Sequence, residues 1–535
     1  MKQRELTALL CVVWAATLLY GEMLAFWIPS LSSCSWPHLL RSNSTIDEAK
    51  YPGDYVKIAV ITDPQLMDKT SLSLALKSLA LEMAQFYTDL YMRRAFLSSI
   101  LPFKPDVILY LGDFFDGGPY LSDEEWQESL DRFKHIFALD SQGRHRDIKV
   151  HFIPGNHDIG YESILAHRPE VVDRYEKEFG KRNYRFTAGK VEFIAIDAQT
   201  LDARHQQNPA SSPLEFVKNV SMDVQSYPRV LLTHIPLYRR DETYCGPNRK
   251  SPVINQRILH TADGEIRYQN YISEESSDFL LELIKPVLIL SGHDHDQCTI
   301  THESTSRRVV EQTVGTVSWQ QGNLYPSFML LSATNFVLQN TSSPDEAVLT
   351  QLCFLPTQIF IYIWYLILFL FTILALLLWP TSNTSFWHQL SGLLGYGKQL
   401  LSSLFSATKE KNEDLNCEYE MMWDAEGSMH LVKKTLNTPI VTRSSDMNPE
   451  SRGSAVIRPT ARKNNISQES DISLSVDNGG EMGSDHMTKL PPRTSKSWRK
   501  IVIQRLLRTF VMLSIIAAVN VPLYMILLFK DWIEQ

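Results

Sequence analysis

Residues 149–158 read KVHFIPGNHD, a short apolar and β-branched run that breaks at Pro154-Gly155 and delivers Asn156, His157 and Asp158. The run fits a strand, and the Pro-Gly pair ends it. Four other stretches repeat this pattern. Residues 55–65 (YVKIAVITDPQ) end on Asp63 and Gln65, and residues 107–116 (VILYLGDFFD) end on Asp113 and Asp116. Residues 229–236 (RVLLTHIP) deliver His234, and residues 287–295 (VLILSGHDH) deliver His293 and His295. Strands of an α/β fold build sites from their C-terminal ends, so five such deliveries predict an α/β domain with one shared site.

A lone Gly-Asp or Asn-His is usually a turn or a cap. The ordered set D-x-Q, GDxxD, GNHD, H, GHxH behind five strands needs a common cause, and a pair of divalent cations supplies one. Two cations a few Å apart take about seven ligands, one of them a shared carboxylate. Carboxylate, amide and imidazole donors suit Mn, Fe or Zn, whereas an all-oxygen Ca site would not use three His.

The ordered set resembles the signature of the calcineurin-like metallophosphoesterase superfamily over residues 57–337. The resemblance implies a four-layer α/β sandwich, two β-sheets flanked by helices. It implies that Asp63, Gln65 and His295 hold one metal, that Asn156, His234 and His293 hold the other, and that Asp113 bridges them. His157 would protonate the leaving oxygen, with Asp158 orienting its ring and Asp116 holding a site imidazole as an acceptor. Gln65 departs from the usual His. An amide oxygen is a harder ligand than imidazole, which favours Mn or Mg over Zn; Mn is the expected native metal, with Fe, Zn and Mg as alternatives.

DPQL, GDFFDGG, GNHDIG, HIPLYRR, the Cys-Gly-Pro at Cys245 and the residues around Trp319 and Phe328 resemble one membrane-bound subgroup, the GPI-anchor-remodelling ethanolamine-phosphate phosphodiesterases. That likeness implies removal of ethanolamine-phosphate from a mannose of GPI anchors, with GPI-anchored proteins as substrates. Arg239 and Arg240 are candidates for neutralising the phosphodiester, or else form a solvated loop pair. Tyr238 and Trp319 stack on sugar or pack in the core.

The chain has 535 residues, with 52 Lys+Arg against 60 Asp+Glu, a net charge of -8, and 44% hydrophobic residues. That balance excludes global disorder, and with no long basic run it excludes nucleic acid as the main partner. Three apolar stretches reach the roughly 20 residues a bilayer crossing takes: 6–28, 358–379 and 509–529, the last with Pro522 as a kink site. The first is either an uncleaved anchor or a signal peptide behind Lys2 and Arg4. Lys2 and Arg4 before the first span, with Arg493, Lys496, Arg499, Lys500, Arg505 and Arg508 before the third, put both flanks in the cytosol. The expected organisation is a cytosolic 1–5, a lumenal domain at 29–355, a largely disordered cytosolic 380–508 and a lumenal tail at 530–535. Residues 386–405 read as an amphipathic surface helix or a juxtamembrane linker.

Four of the six cysteines fall in the lumenal segment, where three pairings are open. Cys34 and Cys353 flank the membrane-proximal base, which favours Cys34–Cys353 with Cys245–Cys298. Sequons at Asn43, Asn219 and Asn340 would be glycosylated, and those at Asn383 and Asn465 would stay unmodified. The expectation is a multi-pass enzyme of the ER, ER–Golgi intermediate or Golgi membrane that assists GPI-protein maturation and export, with 380–508 open to cargo receptors or coats. The alternatives are a lumenal phosphatase or phosphodiesterase for another substrate, and a catalytically silent trafficking adaptor.

Overall fold

Alternate residues of the strand Tyr55–Ile61 serve two different cores. Ile58 and Val60 are buried in one apolar cluster, Ala59 and Ile61 in another on the opposite face. This period of two, with both faces apolar, makes the strand the centre of a sheet covered on both sides. The computed structural model of the protein describes residues 3–38, 53–71, 78–139, 147–203, 212–251, 258–305, 307–336, 344–379, 417–423, 429–435 and 498–533.

In chain order, β1 (Tyr55–Ile61), β2 (Val107–Tyr110) and β3 (Lys149–Phe152) run parallel in a first sheet. The chain then crosses to a second sheet through β4 (Tyr184–Ala188), β5 (Val191–Ala195) and β6 (Arg229–Leu232). A separate hairpin, β7 (Ile258–His260) and β8 (Ile266–Gln269), precedes β9 (Leu288–Ser291), β10 (Cys298–Glu303) and β11 (Arg308–Thr313) of the second sheet. Finally β12 (Ser327–Thr334) and β13 (Val348–Phe354) return to the first sheet, antiparallel. The orders are β13-β12-β1-β2-β3 and β10-β11-β9-β6-β5-β4.

One core lies between the sheets, where Ile58, Val60, Leu109 and Leu331 meet Phe193, Val230, Leu232 and Leu290. A second joins the outer face of the first sheet to helices Leu79–Arg94 and Asp123–Ile136. A third joins the second sheet to helices Pro213–Met222 and Glu274–Ile284. Each fully buried aliphatic or aromatic side chain in these layers contributes about 1.5–3 kcal/mol relative to exposure. The result is helix, sheet, sheet, helix.

Three helices are long and apolar enough to cross a membrane: Gln3–Ser33, Gln358–Leu378 and Val502–Ile533. The first and third exceed the expected 6–28 and 509–529. The third belongs to a helix over Trp498–Ile533 that runs through Pro522, so residues 498–508 and 530–533 are helical. Within the segment expected to be largely disordered, residues 417–423 and 429–435 pair as antiparallel strands. The rest of 380–497, with Asn383, Asn465 and the 386–405 segment, lies outside the described residues, as do Asn43 and Asn340. Asn219 is exposed on its helix.

The first and third spans bind the domain through Arg94. Its guanidinium pairs with Glu22 of the first span and, from Nε at 3.0 Å, with Asp531 at the end of the third. Nη2 also donates to the Leu527 carbonyl at 2.6 Å. Phe26 of the first helix is part of the core around the first sheet. Cys34 is disulfide-bonded to Cys353 of β13, with Cα atoms 5.9 Å apart, and Cys245 to Cys298, 4.4 Å apart.

Candidate metal centre

Both sheets aim their strand ends at one point. Asp63 and Gln65 follow β1, Asp113 follows β2, Asn156 follows β3, His234 follows β6, and His293 and His295 follow β9. To turn so many side chains inward, the backbone takes left-handed conformations. Asp63 (φ 50°), Gln65 (39°), Asp113 (56°), His293 (68°) and His295 (55°) all have positive φ. Such conformations are uncommon outside glycine and gather at functional sites. Gly155 serves another need: a Cβ there would overlap Asp113 Oδ1, so only glycine lets β3 end this close to the central carboxylate.

Ligand atoms of Asp113, His234 and His293 lie within 4.8 Å of one another, as do those of Asp63, Asp113 and His295. Asp113 belongs to both groups. His234 Nδ1 donates to the Leu111 carbonyl at 2.6 Å, which leaves Nε2, 3.2 Å from both Asn156 Oδ1 and Asp113 Oδ2, as the free lone pair. His293 Nε2 donates to the Gln269 carbonyl at 3.1 Å, which leaves Nδ1 free. Gln65 donates from Nε2 to Asp113 Oδ2 at 3.0 Å, so its nitrogen faces the centre in this geometry.

Charge is crowded here. Burial, and after it the neighbouring His234, push the His293 pKa down to about 3, so the ring is a neutral donor. Burial raises Asp63. Burial also works against the charge of Asp113, but His234 and His157 hold its carboxyl well below the usual range. Two carboxylates and three imidazoles around one shared oxygen pair are the donor set two divalent cations need, and the residues fit them. Bound there, such cations supply Lewis-acid polarisation of a phosphoryl group and activation of water.

His157 lies beside this cluster, its side chain 38% exposed. Its backbone amide donates to Asp113 Oδ1 at 2.8 Å, and its Nδ1 meets the Asp116 carbonyl, with the Asp116 carboxylate at 3.6 Å. Burial opposes charge on the ring, but Asp113 and Asp116 outweigh it and the pKa lies above the ordinary value. With Nδ1 engaged, Nε2 holds a proton to give to a leaving oxygen.

The expectation that Asp158 orients the His157 ring is corrected. Asp158 accepts the amides of Asp113, Phe114 and Gly155, each at 2.8 Å, and so clamps the strand ends. Burial, and then the charge of Asp113, push its pKa up to about 7. Arg239 is corrected too. It is buried, meets Thr313, Glu311 and Asp294, and lies over the Tyr271 ring at 5.0 Å. It is a core cation and does not face a substrate. Arg240 is exposed and Tyr238 half-buried. Trp319 packs against the helix-side core and meets Tyr362 edge-on at 5.8 Å.

Sequence reasoning missed Gln269, which orients His293 from the β7–β8 hairpin. That hairpin is too short to carry a periodic signal. It also missed Thr316, whose hydroxyl donates to the Asp63 carbonyl at 2.6 Å, and Asp294, whose position between two site histidines was a visible cue. Asp294 pairs with Arg249.

The calcineurin-like phosphoesterase family matches residues 56–297, the stretch that contains all seven residues of the centre. The chain carries a calcineurin-like metallophosphoesterase domain. Cell division control protein 1 of Saccharomyces cerevisiae is 28% identical over 66% of this chain and 71% of its own length. The metallophosphoesterase 1 homolog of Drosophila melanogaster is 26% identical over 65% and 86%. Metallophosphoesterase 1 of Danio rerio is 28% identical over 65% and 89%. With the convergent Asp and His groups, this makes the protein a metal-dependent phosphoesterase.

Proposed function

We propose that the protein is a membrane-integral phosphodiesterase that removes ethanolamine-phosphate from a mannose of GPI anchors, with its catalytic domain in the lumen of the ER or Golgi. The observation that carries this reading is the position of the site. Asp116, which holds the proton-bearing His157, lines one cleft together with Tyr362 of the second span and Tyr524 of the third. A phosphodiester held at the membrane by a lipid anchor reaches such a centre without leaving the bilayer. Asp63, Gln65, Asp113, Asn156, His234, His293 and His295 hold two cations, Mn in this proposal, and His157 protonates the departing oxygen. The proposed glycans at Asn43, Asn219 and Asn340 follow from a lumenal domain. Residues 380–508 then face cargo receptors or coats in the cytosol.

The test is the mass of GPI glycans from cells lacking the protein. An added ethanolamine-phosphate, removed on re-expression of wild type and retained with Asp113→Ala, is the expected result. Unchanged glycan mass rules the substrate out.

A further inference from the structure

A cleft of about 680 Å³ opens between the metal-bearing domain and the second and third spans. Its aromatic wall runs as a chain of contacts. Trp319 meets Tyr362 edge-on, Tyr362 meets Tyr87 at 6.3 Å, and the Tyr524 and Tyr87 hydroxyls are 3.3 Å apart. These rings face one another under the domain and are half-buried, unlike rings that only mark a membrane interface. The rest of the wall mixes apolar Met67, Met83 and Ala84 with polar Ser71, Gln320 and Gln321, and includes Asp116. Gln320 also donates to the Gln65 carbonyl at 3.1 Å, so this wall is joined to the metal centre.

The charges lining the cleft limit its occupant. Among the described lining residues, Asp116 is the only ionisable group other than tyrosine, and none is Lys or Arg. An anionic phosphate or lipid headgroup finds no counter-charge there. A neutral polyol finds apolar ring faces for its C–H surfaces and amide and hydroxyl groups for its hydroxyls. Tyr362 and Tyr524 come from helices long and apolar enough to cross a membrane, so the cleft lies within reach of an occupant tethered at the bilayer. We infer that this cleft is a glycan subsite: it holds the neutral sugar residues of a membrane-anchored glycolipid while the attached phosphodiester reaches the metals. The inference deepens, and rests on, the proposed action on GPI glycans. It adds that the third span, through Tyr524, is a wall of the substrate site.

Binding of a soluble α-linked mannotriose to the full chain in detergent, read by saturation-transfer NMR, tests the subsite without turnover. Wild type should transfer to the mannose C–H protons. Tyr362→Leu and Tyr524→Leu should weaken transfer about threefold to tenfold at unchanged melting midpoint, while Tyr524→Phe, which keeps the ring face, retains it. Gln321→Trp fills the cleft from its rim without removing a packed ring and should abolish transfer even if a leucine variant fails to fold. Full transfer in Gln321→Trp, or equal loss in Tyr524→Phe and Tyr524→Leu, overturns the assignment. Transfer to the acyl chain of a short-chain phospholipid with none to mannotriose also overturns it and makes the cleft a lipid groove. Mannotriose binding by a wild-type protein that leaves GPI glycans uncleaved sinks the proposed reaction and spares the subsite.

Discussion

The Asp158 carboxylate accepts the backbone amide of Asp113 at 2.8 Å, while the ring of the adjacent His157 turns to Asp116. Neighbouring residues on a helical turn do not face each other. His157 and Asp158 open the short helix Asn156–Ile159, and their side chains diverge into separate tasks.

These tasks separate on mutation. Asp158→Ala strands three buried amides at about 1–3 kcal/mol each, and should lower the melting midpoint and the metal content together. Asp116→Asn should keep both and lower turnover about 10- to 100-fold. Asp116 helps hold the His157 pKa above its ordinary value, so its loss lowers that pKa. The alkaline limb of the pH–rate profile, where the acid loses its proton, should then move to lower pH. A profile that stays in place would remove Asp116 from the proton path.

Gln65→His replaces an amide at the Asp113 carboxylate with an imidazole. Zn affinity should rise more than Mn affinity, since imidazole favours the later metals and Mn tolerates oxygen donors. Metal titrations of wild type and variant give the answer. Identical curves for both metals would mean that residue 65 does not reach a cation.

Arg94 ties two spans to the domain. Arg94→Met leaves Glu22 and Asp531 without their cation and should cost about 3–5 kcal/mol, seen as a lower melting midpoint of the full chain in detergent. Asp531→Asn should cost less, because Asp531 is the more exposed partner, 24% against 2% for Glu22. If both variants melt with wild type, the Arg94 ion pairs do not hold the spans to the domain.

Glu311 keeps Arg239 in the core. Burial opposes its charge, but Arg239, His302 and Ser291 hold its pKa near 2, below the ordinary 4.5. A depressed carboxylate pKa stabilises the fold above the unfolded value and loses that contribution as pH falls from 4.5 toward 2. Glu311→Gln should destabilise by about 3–5 kcal/mol at neutral pH. It should also flatten the acid loss over that window. A slope equal to wild type's would assign the acid sensitivity to other carboxylates.

The strands and the positions of the donors were legible because the central parallel strands β2, β6 and β9 are buried on both faces and each parallel strand ends abruptly in polar residues. Pairwise contacts were not. Arg239 stands in a loop-like HIPLYRR, and its counter-charge Glu311 is supplied by a distant strand, so neighbouring residues gave no sign of burial. Gln269 orients His293 through its backbone carbonyl, which any residue type offers. The third span read as a bare apolar run because its contacts with Arg94 and Tyr87 depend on how the chain returns to the domain.

Metal stoichiometry tests the dinuclear centre most directly. Purified full-length wild type, reconstituted with Mn and desalted, should retain two ions per chain. Asp113→Ala should lose tight binding at both positions while its melting midpoint in the metal-free state stays close to wild type's, and its phosphodiesterase activity should vanish. A wild type that holds one ion or none, or an Asp113→Ala variant that still holds two, would contradict a pair of cations sharing Asp113.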